Sequence, residues 1–158
     1  GEVFTAGLLH DIGQVVLHEH HPDLFQEVVR RVRSDGIDLL HAELEVMGAT
    51  HPQVGGWLCR HWNLPSSLCD AVAYHHDAGS CPSETQALSA LVALADNLAH
   101  RTVSGGEWLG KPSVEVDSRT LAALSSHGIT VREEDVPFLS ELVGNEIERA
   151  ASLGEAFR

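Results

Sequence analysis

The sequence predicts an all-α protein, and three observations carry that prediction. Hydrophobic residues make up 43% of the 158 residues but aromatics only 5%, so Leu, Val and Ala must fill the core. Ala and Leu favour helices while β-branched runs are scarce, and apolar residues recur at helical spacing rather than in alternation. Stop signals then fall between the periodic segments, at Gly36, Gly48, Asn63-Leu64-Pro65 and Gly128. The length suits one domain spanning 1–158.

Taken in order, Phe4, Leu8, Leu9, Ile12, Val15 and Val16 place one helix over 2–20, or two joined near Gly13. His18, His20 and His21, beside Glu19, read as a solvated helix end. Pro22 suits the first turn of a helix that buries Leu24, Phe25, Val28, Val29 and Val32 and stops at Gly36. Asp38 caps a helix through Leu39, Leu40, Leu44 and Met47, closed by Gly48. His51-Pro52 opens the next, with His51 as its capping residue and an apolar face of Val54, Trp57 and Leu58. Gly55-Gly56 inside that helix costs about 1 kcal/mol per Gly relative to Ala, which implies close approach of a neighbouring backbone.

After Pro65 a helix runs through Leu68 and Val72 to His75-His76, and residues 77–82 form a short loop. Ser83 and Gln86 give a capping box for a long helix carrying Leu88, Leu91, Val92, Ala95 and Leu98, with Asp96 well inside it. Residues 102–116 form an irregular connection that includes Trp108. Asp117 or Ser118 caps a helix through Leu121 and Leu124. Thr130 and Glu133 make a second capping box, ahead of Val136, Phe138, Leu139, Leu142, Val143 and Ile147.

The formal net charge of −13 argues against non-specific binding to nucleic acid or an anionic membrane. No apolar run approaches the roughly 20 residues that span a bilayer, and no signal-like segment opens the chain. Three cysteines without C-x-x-C spacing do not make a disulfide framework. The expected compartment is therefore the cytoplasm. The chain opens at Gly1 with helical pattern at once, so it is expected to be the C-terminal part of a longer polypeptide.

Chemistry concentrates at Gly7-Leu8-Leu9-His10-Asp11-Ile12-Gly13, where an adjacent His and Asp close an apolar run. Neighbouring side chains diverge on a helix, so this pair needs ligands from elsewhere to hold an ion. His51, His75, His76 and Asp96 offer them. Imidazole and carboxylate together suit iron, manganese or zinc, in one ion or in two sharing Asp11. Singly, each residue reads as structural: a cap, a solvated carboxylate, or an imidazolium at a helix C-terminus. Jointly they point to a metal site of His10, Asp11, His51, His75, His76 and Asp96.

Leu8-Leu9-His10-Asp11-Ile12-Gly13, His51-Pro52-Gln53-Val54-Gly55, Trp62-Asn63-Leu64-Pro65 and His75-His76 together resemble the HDOD family, the HD-related output domain of bacterial signalling proteins. The resemblance covers about residues 2–100. It implies an HD-domain-like helical bundle related to the metal phosphohydrolases. It also implies that His10, Asp11 and Asp96 correspond to metal ligands of that superfamily, and His51, His75 and His76 to further ligands of the HD-GYP phosphodiesterases.

Three departures weigh against turnover. Residues 1–9 contain no counterpart of the superfamily's upstream His. Gln14 stands where HD-GYP enzymes usually carry a lysine, and Asp77-Ala78-Gly79-Ser80-Cys81-Pro82 lacks the Gly-Tyr-Pro signature. The expected function is a regulatory output domain working through contacts with other signalling proteins or fused regulatory domains, with a residual metal site and little or no catalysis. The alternative is a metal-dependent phosphohydrolase or phosphodiesterase. A third possibility is a polar histidine network that holds no ion.

Overall fold

In the computed structural model, residues 1–102 and 116–156 are described; the irregular connection and Trp108 lie outside them. These residues form a bundle of nine α-helices without strands: α1 Glu2–Leu9, α2 Ile12–His20, α3 Pro22–Arg30, α4 Leu39–Met47, α5 His51–His61, α6 Ser66–Tyr74, α7 Gln86–Thr102, α8 Ser118–Ser126 and α9 Val136–Ala156. The all-α expectation holds. No described helix is long and apolar enough to cross a membrane.

The helix ends follow local chemistry. The first break falls at His10-Asp11 rather than at Gly13, with Asp11 at φ −97°, ψ 12°, the bridge region where many active-site residues sit. Gly48 ends α4 at φ 76°, a left-handed turn that needs no Cβ penalty in glycine. Asp38 caps α4 by accepting the His41 N–H at 3.2 Å. Thr50, not His51, caps α5, and its backbone N–H donates to Gln53 Oε1 at 3.1 Å. His51 is thereby left free as the first helical residue. Two other caps differ from expectation. The Gln86 amide donates to the carbonyl of Ala78 rather than back toward Ser83, and Asp135 accepts the Arg132 N–H in place of a Thr130 box.

Helix α5 packs between α2 and α6, and α7 lies against α1, α6, α8 and α9. Three glycines set the first contact. A Cβ on Gly13 would sit 2.0 Å from the His51 carbonyl oxygen, and one on Gly55 would sit 2.7 Å from Val72 Cγ1. At Gly56 it would meet Ala73 Cβ at 2.8 Å. Glycine is what lets α2 and α5 approach backbone to backbone and lets Val72 and Ala73 of α6 rest directly on the α5 backbone, the close approach that the Gly55-Gly56 pair predicted.

Several residues expected to face the core do not. Leu8 is 71% exposed and Phe4 also lies on the surface. Two residues apart on a helix differ by about 160°, so turning His10 inward turns Leu8 and Phe4 outward. The same geometry exposes Trp57 when His51, Gly55 and Cys59 face inward. Val15, Leu24, Leu44, Phe138, Leu142 and Ile147 are exposed as well, and Ala95 lies at the surface. Each of their helices carries more apolar residues than one buried face can hold.

Candidate metal centre

The His10-Asp11 break carries Asp11 toward the start of α5 and the end of α6. There one ligand atom each of Asp11, His51, His75 and His76 lies within 4.8 Å of the others. Asp11 Oδ1 is 3.4 Å from His51 Nε2 and 3.5 Å from His75 Nε2. The two imidazole Nε2 atoms face each other at 3.4 Å, and His76 Nε2 is 3.1 Å from that of His51. His51 and His75 are fully buried, whereas His76 lies at the surface with this nitrogen turned in.

The outer nitrogens decide what the inner ones can do. His75 Nδ1–H donates to the Val72 carbonyl at 2.8 Å, and His10 Nδ1–H to the Gly7 carbonyl at 2.7 Å. His51 Nδ1–H donates to the Glu43 carboxylate at 2.9 Å. A carbonyl or carboxylate can only accept, so each neutral ring keeps its proton on Nδ1 and presents a lone pair at Nε2. Lone pairs of His51 and His75 therefore converge with a carboxylate oxygen in a buried volume. Such a cluster of acceptors is satisfied by a cation, and imidazole with carboxylate suits a divalent transition metal. The donor set fits such an ion.

His10 and Asp96 form a second arm beside this group, not within it. His10 Nε2 lies 3.4 Å from both Asp11 Oδ2 and Asp96 Oδ1. It is buried and makes no well-directed hydrogen bond. Asp96, one helical turn before His100, accepts the His100 Nδ1–H at 2.9 Å. Of the six sequence-predicted residues, the fold thus gathers four tightly and sets His10 and Asp96 alongside through Asp11.

Electrostatics follow from this crowding. Burial alone would raise the Asp11 pKa, but the imidazoles of His75, His10 and His51 crowded around it hold it below the usual range. Asp96 is likewise held down despite burial, by the His10 ring 3.4 Å away and by the hydrogen bond from His100. His100 is pushed up to about 9, chiefly by its hydrogen bond to Asp96. His10 rises because Asp96 and Asp11 outweigh its burial. His76 falls to about 3 through desolvation of the ring and then the neighbouring His75 and His51.

Two participating residues escaped the sequence reading. Glu43 is fully buried and meets His51 twice. Its signal was a carboxylate inside the stripe Leu39, Ala42, Val46, Met47, at i, i+3, i+7 and i+8. His100 could have been found from its i+4 spacing to Asp96.

Comparison with known proteins places this arrangement. Residues 1–78 match the HDOD domain family model. The chain is 28% identical to an HDOD domain protein with unknown function from Geobacter sulfurreducens, whose crystal structure superposes with a TM-score of 0.67. That match covers 95% of this chain and 50% of the other. An uncharacterised protein of Treponema pallidum (strain Nichols) is 26% identical over 102 residues, 65% of this chain and 20% of that protein. The chain therefore spans half or less of the length of these relatives. The motifs, the helical fold and the matched residues agree: residues 1–78 match the HDOD domain family, and the chain is similar in fold to an HDOD domain protein.

Proposed function

We propose that the chain is a regulatory output domain of a bacterial signalling protein, built around an HD-type divalent metal centre and acting through contacts with other signalling proteins or with domains fused to it. The observation behind the metal reading is the convergence of Asp11 Oδ1 with the Nε2 atoms of His51 and His75. His51, His75, His76 and Asp11 would hold one ion, and His10 and Asp96 a second that shares Asp11. A bound ion of this kind supplies Lewis acidity and orients a phosphoryl group or water.

Around it, the chain's own residues order the ligands rather than bind a substrate. Glu43 and the Val72 carbonyl fix the ring orientations of His51 and His75. Asp96 holds His10 and His100. Gln14, half-buried on the first turn of α2, brings no positive charge for a phosphate. That difference favours a regulatory role over phosphodiester hydrolysis.

The test is elemental analysis of untagged protein, followed by assay of metal-loaded protein on phosphomonoesters, nucleotides and cyclic nucleotides. About one metal per chain or more, without turnover above Asp11→Ala, is the expected result. Turnover abolished by Asp11→Ala would establish the phosphohydrolase instead. Less than about one metal per ten chains after growth in supplemented medium would leave a metal-free polar network.

A further inference from the structure

We propose that Glu43 is a positioning residue of the metal centre and that, through it, ion binding tightens the docking of the α3–α4 hairpin. This inference rests on the metal reading above. Glu43 is 0% exposed on the inner face of α4. Its Oε2 accepts the His51 backbone N–H at 2.8 Å and the His51 Nδ1–H at 2.9 Å, while Oε1 lies 3.0 Å from the same Nδ1. One carboxylate thus holds both the first residue of α5 and its imidazole ring.

Two consequences follow. The first is chemical. With its proton drawn to the Glu43 side, His51 presents its Nε2 lone pair to Asp11, and the carboxylate makes the ring a stronger ligand. The second is mechanical. The hairpin has its own apolar cluster of Val28, Val32 and Ala42, with Ile37, Leu39, Val46 and Met47 packed against it. Helix α4 packs on α3 and the turn after it, and on no other described helix to a comparable extent. The carboxylate is therefore a principal link between α4 and the site.

A cation drawing on His51 Nε2 makes the Nδ1–H more acidic and strengthens its hydrogen bond to Glu43. Because coupling is reciprocal, whatever strengthens this bond on ion binding also makes a docked hairpin bind the ion better. The hairpin becomes the element that reports occupancy of the centre.

Zinc titration against a competing chelator and hydrogen exchange over residues 22–48 test this in wild type and Glu43→Gln. Zinc is expected to slow exchange across the wild-type hairpin. Glu43→Gln is expected to bind zinc about 10–100-fold more weakly. At saturating zinc it should lose the slowing in residues 22–48 yet keep it in α6. Affinity within about threefold of wild type, with hairpin protection unchanged, would overturn the proposal. Should Glu43→Gln fail to fold, histidine nitrogen spectra of the wild-type protein decide: a His51 proton on Nδ1 supports the positioning role, one on Nε2 refutes it. Wild-type protein that takes up no zinc overturns the metal reading and this coupling together, a result distinct from a failure confined to the variant.

Discussion

Around α5 and α6 the interior is rich in glycine, alanine, cysteine and imidazole, with Val72 and Leu68 as its large buried aliphatics; around α7, α8 and α9 leucine and valine predominate, beside Ala90 and Ala123. In the first region Gly13, Gly55, Gly56, Cys59, Cys69 and Ala71 bring backbones together and leave room for His51 and His75. In the second, Leu94, Leu98, Leu124 and Val136 gather around α7, with Leu139 and Val143 packed against them. Burial of large side chains stabilises by roughly 25 cal/mol per Å² of apolar surface, so the leucine region holds itself together by ordinary core packing. The site region gives up part of that gain to carry buried polar groups, which must be satisfied by one another or by an ion. Stability and chemistry are thus separated along the chain.

Four measurements would break or sharpen that contrast. The largest effect is expected for Gly13→Ala, whose new methyl would meet the His51 carbonyl at 2.0 Å. It should cost more than about 3 kcal/mol in urea unfolding and abolish metal uptake; a loss below about 1 kcal/mol would show that the α2–α5 contact can open. Leu124→Ala removes a fully buried side chain from the other region. It should cost about 3 kcal/mol but leave metal stoichiometry at the wild-type value. If uptake falls too, the two regions are not separable.

Acidification comes third. His76 sits at about 3 in the folded protein, below its ordinary value of 6.5. The unfolded chain then binds the extra proton first, so this contribution is present above about pH 6.5 and is lost as pH falls toward 3. His100 has the opposite sign: held up at about 9, it stabilises fully below about pH 6.5 and loses that effect as pH rises through 9. Urea midpoints of metal-free wild type and His76→Gln across pH 4–8 should diverge toward the upper end and converge on acidification. Parallel curves would remove His76 from the site's electrostatics. The smallest effect belongs to Trp57→Ala. Trp57 lies on the outer side of α5 and is 60% exposed, so the change should stay within about 0.5 kcal/mol. A larger loss would mean that α5 is rotated.

The order of the helices was legible because their stops are chemical: Pro22, Gly48, Pro65 and Gly128 each end or open an element where expected, and Gly36 closes the turn Arg31–Asp35 that follows α3. Which apolar stripe would be covered was not legible. Leu8 and Ala6 fit a helix equally well, and only the inward pull of His10 and the packing of Ala6 with Leu68, Ala71 and Val92 decide between them. Four of the six candidate site residues meet in one small volume, read from motif order alone. Glu43 was missed because a single acid in a helix ordinarily faces water; its burial depends on a histidine eight positions later. His10 and Asp96 show that adjacency in a motif does not specify which groups share one centre.

The glycine seam between α2 and α5 has one more consequence. Where backbone rests on backbone, no side chain can rotate to absorb a displacement, and nothing soft lies between the two rods. A small change in the spacing of Asp11 and His51 must therefore move α5 as a whole. Trp57 and Trp62, which α5 and its C-terminal end carry at the surface, would move with it, placing two native fluorophores on the element that the centre grips.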